Sequence, residues 1–415
     1  LKNYKRDYFR IHDRSEYKPF DQTYKIITFS LCSMFIYPNP KEKNFRKNLL
    51  VVVLISPLLL FILFDMLICW QENDMINVFR HSTVVGPLIG GFFKAVLMYT
   101  KEVQASQIIE EMSRDLLLYN HFDQKYKNIA NAGIRNSQKY TEKYWSITVI
   151  ICVMTFPIIA ISYNTYSYLF EAEPKSYMIH DIRLHGVDPD LRFQSPYFEI
   201  IFVYMFCASL MYITNFVGYD GFFGLAINHA CLKMDLFCAA LEDAMLAERK
   251  EIYGRVVGVI KEQCRMFDFV ELIQDTFNTW LGIIFVATMI QICTCVYQIT
   301  EGYSFNIRYM IFTAGAVAHI YVPCRYSAKL KAMSLETATK IYSCSWEQMY
   351  EEPVRKLIML MIARAQVPNE ITAFKFLTFD MELFSSVSLL LAGNYDILLF
   401  QIMQTSYSMY RLLKS

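Results

Sequence analysis

The chain has 415 residues, of which 54% are hydrophobic, 16% aromatic and only 19% charged, with a formal net charge of +1. So little charge beside so many aromatic residues departs from soluble-domain composition and points to the membrane class. The near-zero net charge excludes a nucleic-acid-binding protein, whose basic face would show as a surplus of Lys and Arg.

The first 48 residues are polar and charged and hold no apolar stretch of signal-peptide type. The chain opens on Leu1 rather than Met, so a start upstream of it is expected. A spanning helix needs about 20 mostly apolar residues. Leu49–Trp70 qualifies outright. Met75–Tyr99 is interrupted by Arg80, His81 and Lys94, yet its core STVVGPLIGGFFKAVLMY is apolar enough to count as the second span. The GPLIGG run within it reads as small residues that permit close helix contact. Tyr144–Tyr163, Phe198–Val217, Leu281–Thr300 and Ile307–Pro323 follow, and 383–410 makes the seventh. Intramembrane charge is expected to be nearly confined to Lys94, which can snorkel from a span end, and Asp396.

Several helices are expected to continue past the membrane. The run GLAINHACLKMDLFCAALEDAMLAERKEIY places Leu225, Leu232, Leu236, Ala239, Ala240 and Met245 at three-to-four spacing with charges between. That pattern predicts an amphipathic, water-exposed helix lying on a partner. Lys101–Tyr119 and Ile341–Ala365 have the same character. The connections 220–266 and 325–384 are therefore read as cytoplasmic helical anchor regions. With no internal repeat or linker, 1–415 reads as a single all-α membrane domain. The cysteines form no CxxC pair, and most (Cys69, Cys152, Cys207, Cys293, Cys295, Cys324) lie in apolar runs as small core residues.

Orientation follows from charge. Of the 40 Lys and Arg, 32 fall in the first 48 residues and the connections 100–143, 220–266 and 325–380. The 164–198 connection holds Lys175, Arg183 and Arg192 against Glu171, Glu173, Asp181, Asp188 and Asp190. The bias places the N-terminus in the cytosol and, after seven spans, the C-terminus outside. This inverts a G-protein-coupled receptor. The signatures of that class (DRY, CWxP, NPxxY) are missing too, as is a cysteine in the 164–198 connection.

The histidines form no HExxH or other metal-ligand spacing, and no GxGxxG or GxxxxGK[ST] loop occurs. His180–Asp181 reads as a solvated surface pair. No catalytic residue, metal set or cofactor is assigned. A transporter would show paired intramembrane charges or matched broken helices in two halves. A channel needs only a polar or narrow stripe completed by oligomerisation. A pocket for a small apolar ligand is drawn from the second, third, fourth and sixth spans: Val84, Met154, Phe156, Ile159, Tyr163, Phe206, Cys207, Phe312 and Gly315, with His81 and His319 as polar members. For any single one of these residues, plain helix-to-helix packing is the simpler reading, and the pocket is the alternative to it.

The C-terminal third carries a composite pattern: Cys324, the Ala338…Ile341-Tyr342…Trp346 stretch, RKLIMLMIARAQVP, the KF-T segment at Lys375–Phe384, and Ser406-Tyr407-Ser408. Together with SPYFEIIFVYM at the fourth span, it resembles the insect odorant receptor family. The resemblance implies seven spans with the N-terminus inside, in agreement with the charge count. It implies an odorant-gated, non-selective cation channel, assembled as a heterotetramer of tuning and co-receptor subunits in the plasma membrane of the olfactory neuron dendrite. The short 220–266 connection suits a tuning subunit. Its small-molecule partner would be a volatile odorant, bound among spans two, three, four and six. By position Gln404, Thr405, Ser408 and Met409 would stand at the gate. A metabotropic receptor and a transporter are the alternatives.

The tail departs from the family pattern. Phe384 and Tyr407 lie farther apart than the pattern allows, and removing the fifteen residues Val387–Gln401 restores the spacing. That block begins with Val-Ser and ends with Phe-Gln, which GTAAGT and TTTCAG can encode, as at the ends of a retained intron. A genuine insertion, or a pore helix formed by LFSSVSLLLAGNYDILLFQ itself, are the other readings, and under both Asp396 becomes an acid at membrane depth. Transcript sequence across Ser386–Ile402 separates them.

Overall fold

The computed structural model describes residues 17–38, 45–183, 190–300, 307–349 and 351–392. Short α1 (Phe20–Thr23) and α2 (Lys25–Ser33) precede the first long apolar helix, α3 (Phe45–Gln71), and its antiparallel neighbour α4 (Met75–Thr100). Two polar helices follow, α5 (Glu102–Leu118) and α6 (Gln124–Asn136), and a π-helical stretch, Ser137–Tyr144, leads into α7 (Trp145–Phe170). Three very long helices come next: α8 (Tyr197–Met245), α9 (Arg249–Thr300) and α10 (Ile307–Tyr342). The rest is α11 (Glu352–Ala365), a two-residue hairpin β1 (Thr372–Ala373) and β2 (Leu377–Thr378), and α12 (Met381–Ala392).

Among the described residues, five helices are long and apolar enough to cross a membrane: Leu49–Gln71, Met75–Thr100, Gln124–Phe170, Tyr197–Met245 and Arg249–Ile299. They carry five of the seven expected spans. The sixth expected span lies at the start of α10, where Arg308 and His319 dilute its apolar run. The seventh begins in α12. Asp396, Gln404, Thr405, Ser408 and Met409 lie outside the described residues. Leu50, Val53, Leu60, Phe64, Leu67 and Trp70 of α3 are all exposed. A lipid-facing helix shows this, since lipid tails are as apolar as the side chains.

Beneath the apolar zone, α8 and its neighbours build a layer of helices rich in charge. Here the expected water-exposed amphipathic helix is corrected. From Val217 to Leu232 the α8 side chains are buried all round, including Asp220, Asn228 and His229. Over this stretch the helix is an axle, wrapped by α2, α6, α7, α9 and α10, so Asp220 meets an internal partner, while Glu242 and Asp243 farther along keep an exposed face. Glycine makes room for the wrapping: a Cβ on Gly224 would stand 2.7 Å from Tyr326 and 2.8 Å from Thr141. Phe222, Phe223, Phe277, Trp280 and Tyr219 form an edge-to-face aromatic core in which all five are at most 1% exposed, the arrangement that ring quadrupoles favour.

Several polar groups of this layer are paired. The Glu142 carboxylate accepts the backbone N–H of Ile26 and Ile27 at 3.0 and 3.4 Å, capping the free donors at the start of α2. Asn228 donates to Thr141 (3.0 Å) and accepts from Lys329 (2.8 Å). Asp115 of α5 meets His229 at 2.9 Å and Lys233 at 2.8 Å. Burial alone would raise the Asp115 carboxyl, but hydrogen bonds and charge from these two partners outweigh it and hold the group at about 2. A folded value below the unfolded one, about 3.9, gives stability that is present above pH about 4 and lost as pH falls toward about 2. Thermal unfolding of the solubilised protein should show that slope, worth on the order of 2 kcal/mol. Asp115→Asn should flatten it.

The second correction concerns Ile341–Ala365, which is not one helix. The chain leaves α10 at Tyr342 and re-enters a helix only at Glu352. Ser345 sits at φ 55°, and Pro353 stands in the first turn of α11. The left-handed Ser345 cannot continue a helix, and proline, tolerated in a first turn but not in a helix interior, marks where the next one starts. The hairpin was not foreseen at all. Phe374 and Lys375 hold φ of 50° and 66°, a left-handed pair normally given to Asn-Gly. The turn is fixed from outside. The amide of Gln274 donates to Thr372 O and accepts from Thr372 N–H at 3.0 and 2.9 Å, and the Phe374 ring fills the place where Gly282 has no side chain.

Candidate functional site

Between the apolar helices lies a cavity of about 150 Å³, the size at which an apolar space takes up a benzene-sized molecule. α7 contributes a helical stripe: Trp145, Thr148, Val149, Cys152, Val153 and Phe156. α8 adds Met205, Ser209, Tyr212 and Phe216, again at three-to-four spacing. Leu58 and Ile62 come from α3, Val84, Pro87 and Leu88 from α4, and Gln291 from α9. Phe312, Gly315, Ala316 and His319 of α10 close the ring. Phe156 and Phe312 meet edge to face, with centroids 5.0 Å apart. Gly315 brings α10 against α7, since a Cβ there would lie 2.5 Å from Cys152 Sγ.

Of the eleven residues expected at a pocket, the structure brings Val84, Phe156, Phe312, Gly315 and His319 to this wall. The other six stand elsewhere. Met154 and Ile159 lie off the α7 stripe. Tyr163 is 53% exposed, beyond the last lining turn. Phe206 and Cys207 sit one and two residues past Met205, which turns them about 100° and 200° away from the cavity, and Cys207 is exposed. His81 is fully buried but reaches the cavity only through His180.

The floor of the cavity is an ion cluster, and it corrects the reading of Lys94. Its side chain does not snorkel. It is fully buried, with Nζ 2.6 Å from Asp220 Oδ1 and 3.5 Å above the Phe216 ring. His319 completes the cluster, its Nε2 3.0 Å from Asp220 Oδ2 and its Nδ1 3.3 Å from Thr288 Oγ1. The imidazole is stacked at 15° on Trp145. Both of its nitrogens are engaged, so His319 offers no free ring nitrogen to the space.

The opposite end is closed by the 171–183 segment, correcting the solvated-pair reading. Met178, Ile179 and Ile182 are buried, and His180 lines the cavity with Nε2 3.1 Å from His81 Nδ1. Burial first, then the charge of His81, Arg80 and Arg308, pushes the His180 imidazole well below its ordinary range. It therefore stands neutral at neutral pH. Asp181 is bound by Arg192 at 3.0 Å and Arg80 at 3.9 Å.

Arg183 locks the segment to α3 through a second intramembrane acid that the sequence reading passed over. Asp65 is fully buried. It accepts the Arg183 backbone N–H at 2.7 Å and Nε–H at 2.8 Å, and lies 3.1 Å from His81 Nε2. Asp65, Cys69 and His81 each bring one potential metal-ligand atom within 4.8 Å of the others. The Arg183 guanidinium already fills the place of a cation there, with Nη2 2.7 Å from the sulfur. Arg183→Ala strips the buried carboxylate of that charge, a change worth about 3 kcal/mol. The expected result is a 171–183 segment that limited proteolysis cuts in the variant and spares in the wild type.

The comparisons bear on this arrangement as a whole. A family model described as 7tm odorant receptor matches residues 74–390. Odorant receptor 13a of Drosophila melanogaster is 23% identical over 330 residues, covering 74% of this chain and 75% of that protein. Odorant receptor 67c of Drosophila melanogaster is 25% identical over 187 residues, covering 44% of this chain and 45% of that one. Among solved structures, the insect olfactory receptor OR5 from Machilis hrabei is similar, with TM-score 0.74, 15% identity, and coverage of 90% of this chain and 97% of that one. Its complex with eugenol matches with TM-score 0.72 and 15% identity, covering 92% of this chain and 100% of that one.

Proposed function

This chain belongs to the 7tm odorant receptor family, and on that premise we propose that its cavity binds a small volatile organic molecule whose occupancy opens a cation channel. The observation that carries the reading is the cavity itself: a space of ligand size, walled by aromatic and aliphatic side chains, with an ion cluster below and a clamped segment above. The match to a solved olfactory receptor in complex with eugenol supports a ligand of this class. We read the chain as a multi-pass plasma-membrane protein of the olfactory neuron dendrite, with the basic helical layer in the cytosol. It acts as a tuning subunit in a heterotetramer with a co-receptor subunit.

Mechanistically, a ligand shifts a closed–open equilibrium only by its differential affinity for the two states. Six described helices and the 171–183 segment line one space, so a ligand that spreads its wall moves several of them at once. Gln404, Thr405, Ser408 and Met409 are assigned to the gate by position along the chain.

Co-expression with and without a co-receptor subunit, under a panel of volatiles, tests the proposal. Odorant-evoked current is expected when both subunits are present. Protease protection of an N-terminal tag should place that end in the cytosol. A tag cleaved from outside would overturn the orientation and with it the receptor reading.

A further inference from the structure

Resting on the cavity as the ligand site, we propose that Gln291 is the specificity-determining residue, and that the ligand is an apolar molecule carrying one hydrogen-bonding oxygen, a ketone, ester or alcohol. The inference comes from following each polar side chain on the wall to its partner. Trp145 donates its indole N–H to Phe216 O at 3.3 Å. Thr148 donates to Tyr144 O, Ser209 to Met205 O, and Tyr212 to Leu88 O. His319 is held at both nitrogens, and half-buried His180 is held at one.

Gln291 differs from all of these. Its side chain is 95% buried, with 5% of its surface exposed, and its amide makes no hydrogen bond among the described residues. An unpaired amide in an apolar cavity loses the hydration it would have in water, at about 1–3 kcal/mol. A ligand oxygen removes that penalty, accepting from the Nε2–H of Gln291, while a hydroxyl also donates to Oε1. A hydrocarbon of the same shape leaves it in place. This is the logic by which a site built to hydrogen-bond rejects the analogue that lacks the group.

The placement of the amide has a structural cause. α4 crosses α9 closely at Gly86, where a Cβ would lie 2.8 Å from Ala287 O and 3.7 Å from Gln291 Cβ. The absence of a side chain at Gly86 lets α9 press its Ala287 backbone against α4, and one turn farther along α9 Gln291 enters the wall beside Pro87 and Leu88. The first glycine of the GPLIGG run thus sets a feature of the site as well as a helix contact.

The test uses the full chain in lipid nanodiscs and quenching of Trp145, which lines the cavity, with Trp145→Phe marking the signal from that site. The probes are an n-alkane and the ketone, methyl ester and alcohol of matched length. Wild type should bind the oxygenated compounds about tenfold more tightly than the alkane, one tenfold step being about 1.4 kcal/mol. In Gln291→Leu and Gln291→Met the preference should fall to about parity, with alkane binding retained as the sign that the cavity is intact. A preference that survives in both variants overturns the role of Gln291. Absence of saturable quenching by every compound overturns the cavity as ligand site, and this inference with it.

Discussion

Replacing Lys94 by Met is expected to cost the fold about 3–5 kcal/mol, enough to remove most folded protein from the membrane. The ammonium is fully buried 2.6 Å from Asp220, which is itself 4% exposed. Losing it leaves an ionised carboxylate with His319 as its remaining partner, inside the bundle where no water compensates. The size of the effect lies in the orphaned charge rather than in the pair. Lys94→Met combined with Asp220→Asn should therefore recover most of the folded yield, because the Asn carbonyl still accepts from His319 while the charge is gone. Folded yield by size exclusion of the solubilised protein measures both. A single variant as stable as wild type would show that the cluster is solvated.

Filling the cavity gives the second large effect. Ser209 points into the space from the α8 stripe, and its hydroxyl bonds only its own helix, at Met205 O. Phe at this position occupies ligand volume rather than overpacking a wall. The expected result is at least an about tenfold rise in the odorant concentration for half-maximal response, with surface level unchanged. Cys207→Phe, two residues away on the exposed side of the same helix, is the control and should leave the response unmoved. Equal responses from Ser209→Phe and wild type would remove the cavity from the receptor's function.

What the sequence displayed and what it hid divide along physical lines. Apolar runs long enough to span are visible as composition, so the helices of the membrane zone stood near their expected places. The helical phase of each one was not visible. Met154, Ile159, Phe206 and Cys207 have the right chemistry and sit on the right helices, yet they point away from the cavity. Trp145, Val149, Tyr212 and Gln291 are on it. A three-to-four stripe runs through 145, 149, 152 and 156, but several such stripes exist on an all-apolar helix, and only the neighbouring helices choose among them. Lys94 and Asp65 conceal their roles for a related reason. A charge in an apolar run announces a partner, but Asp220 and Arg183 stand more than a hundred residues away along the chain. The Phe374–Lys375 turn breaks every local rule and is held by Gln274 and Gly282, which sequence cannot connect to it.

The most direct test of a ligand-gated channel is current from excised membrane patches containing this chain and a co-receptor subunit, bathed in solution free of nucleotides. An apolar ketone or ester should evoke cation current within the patch, and Ser209→Phe should shift its dose dependence to higher concentration. A response that appears only when GTP or a cytosolic extract is supplied would contradict direct gating by the cavity.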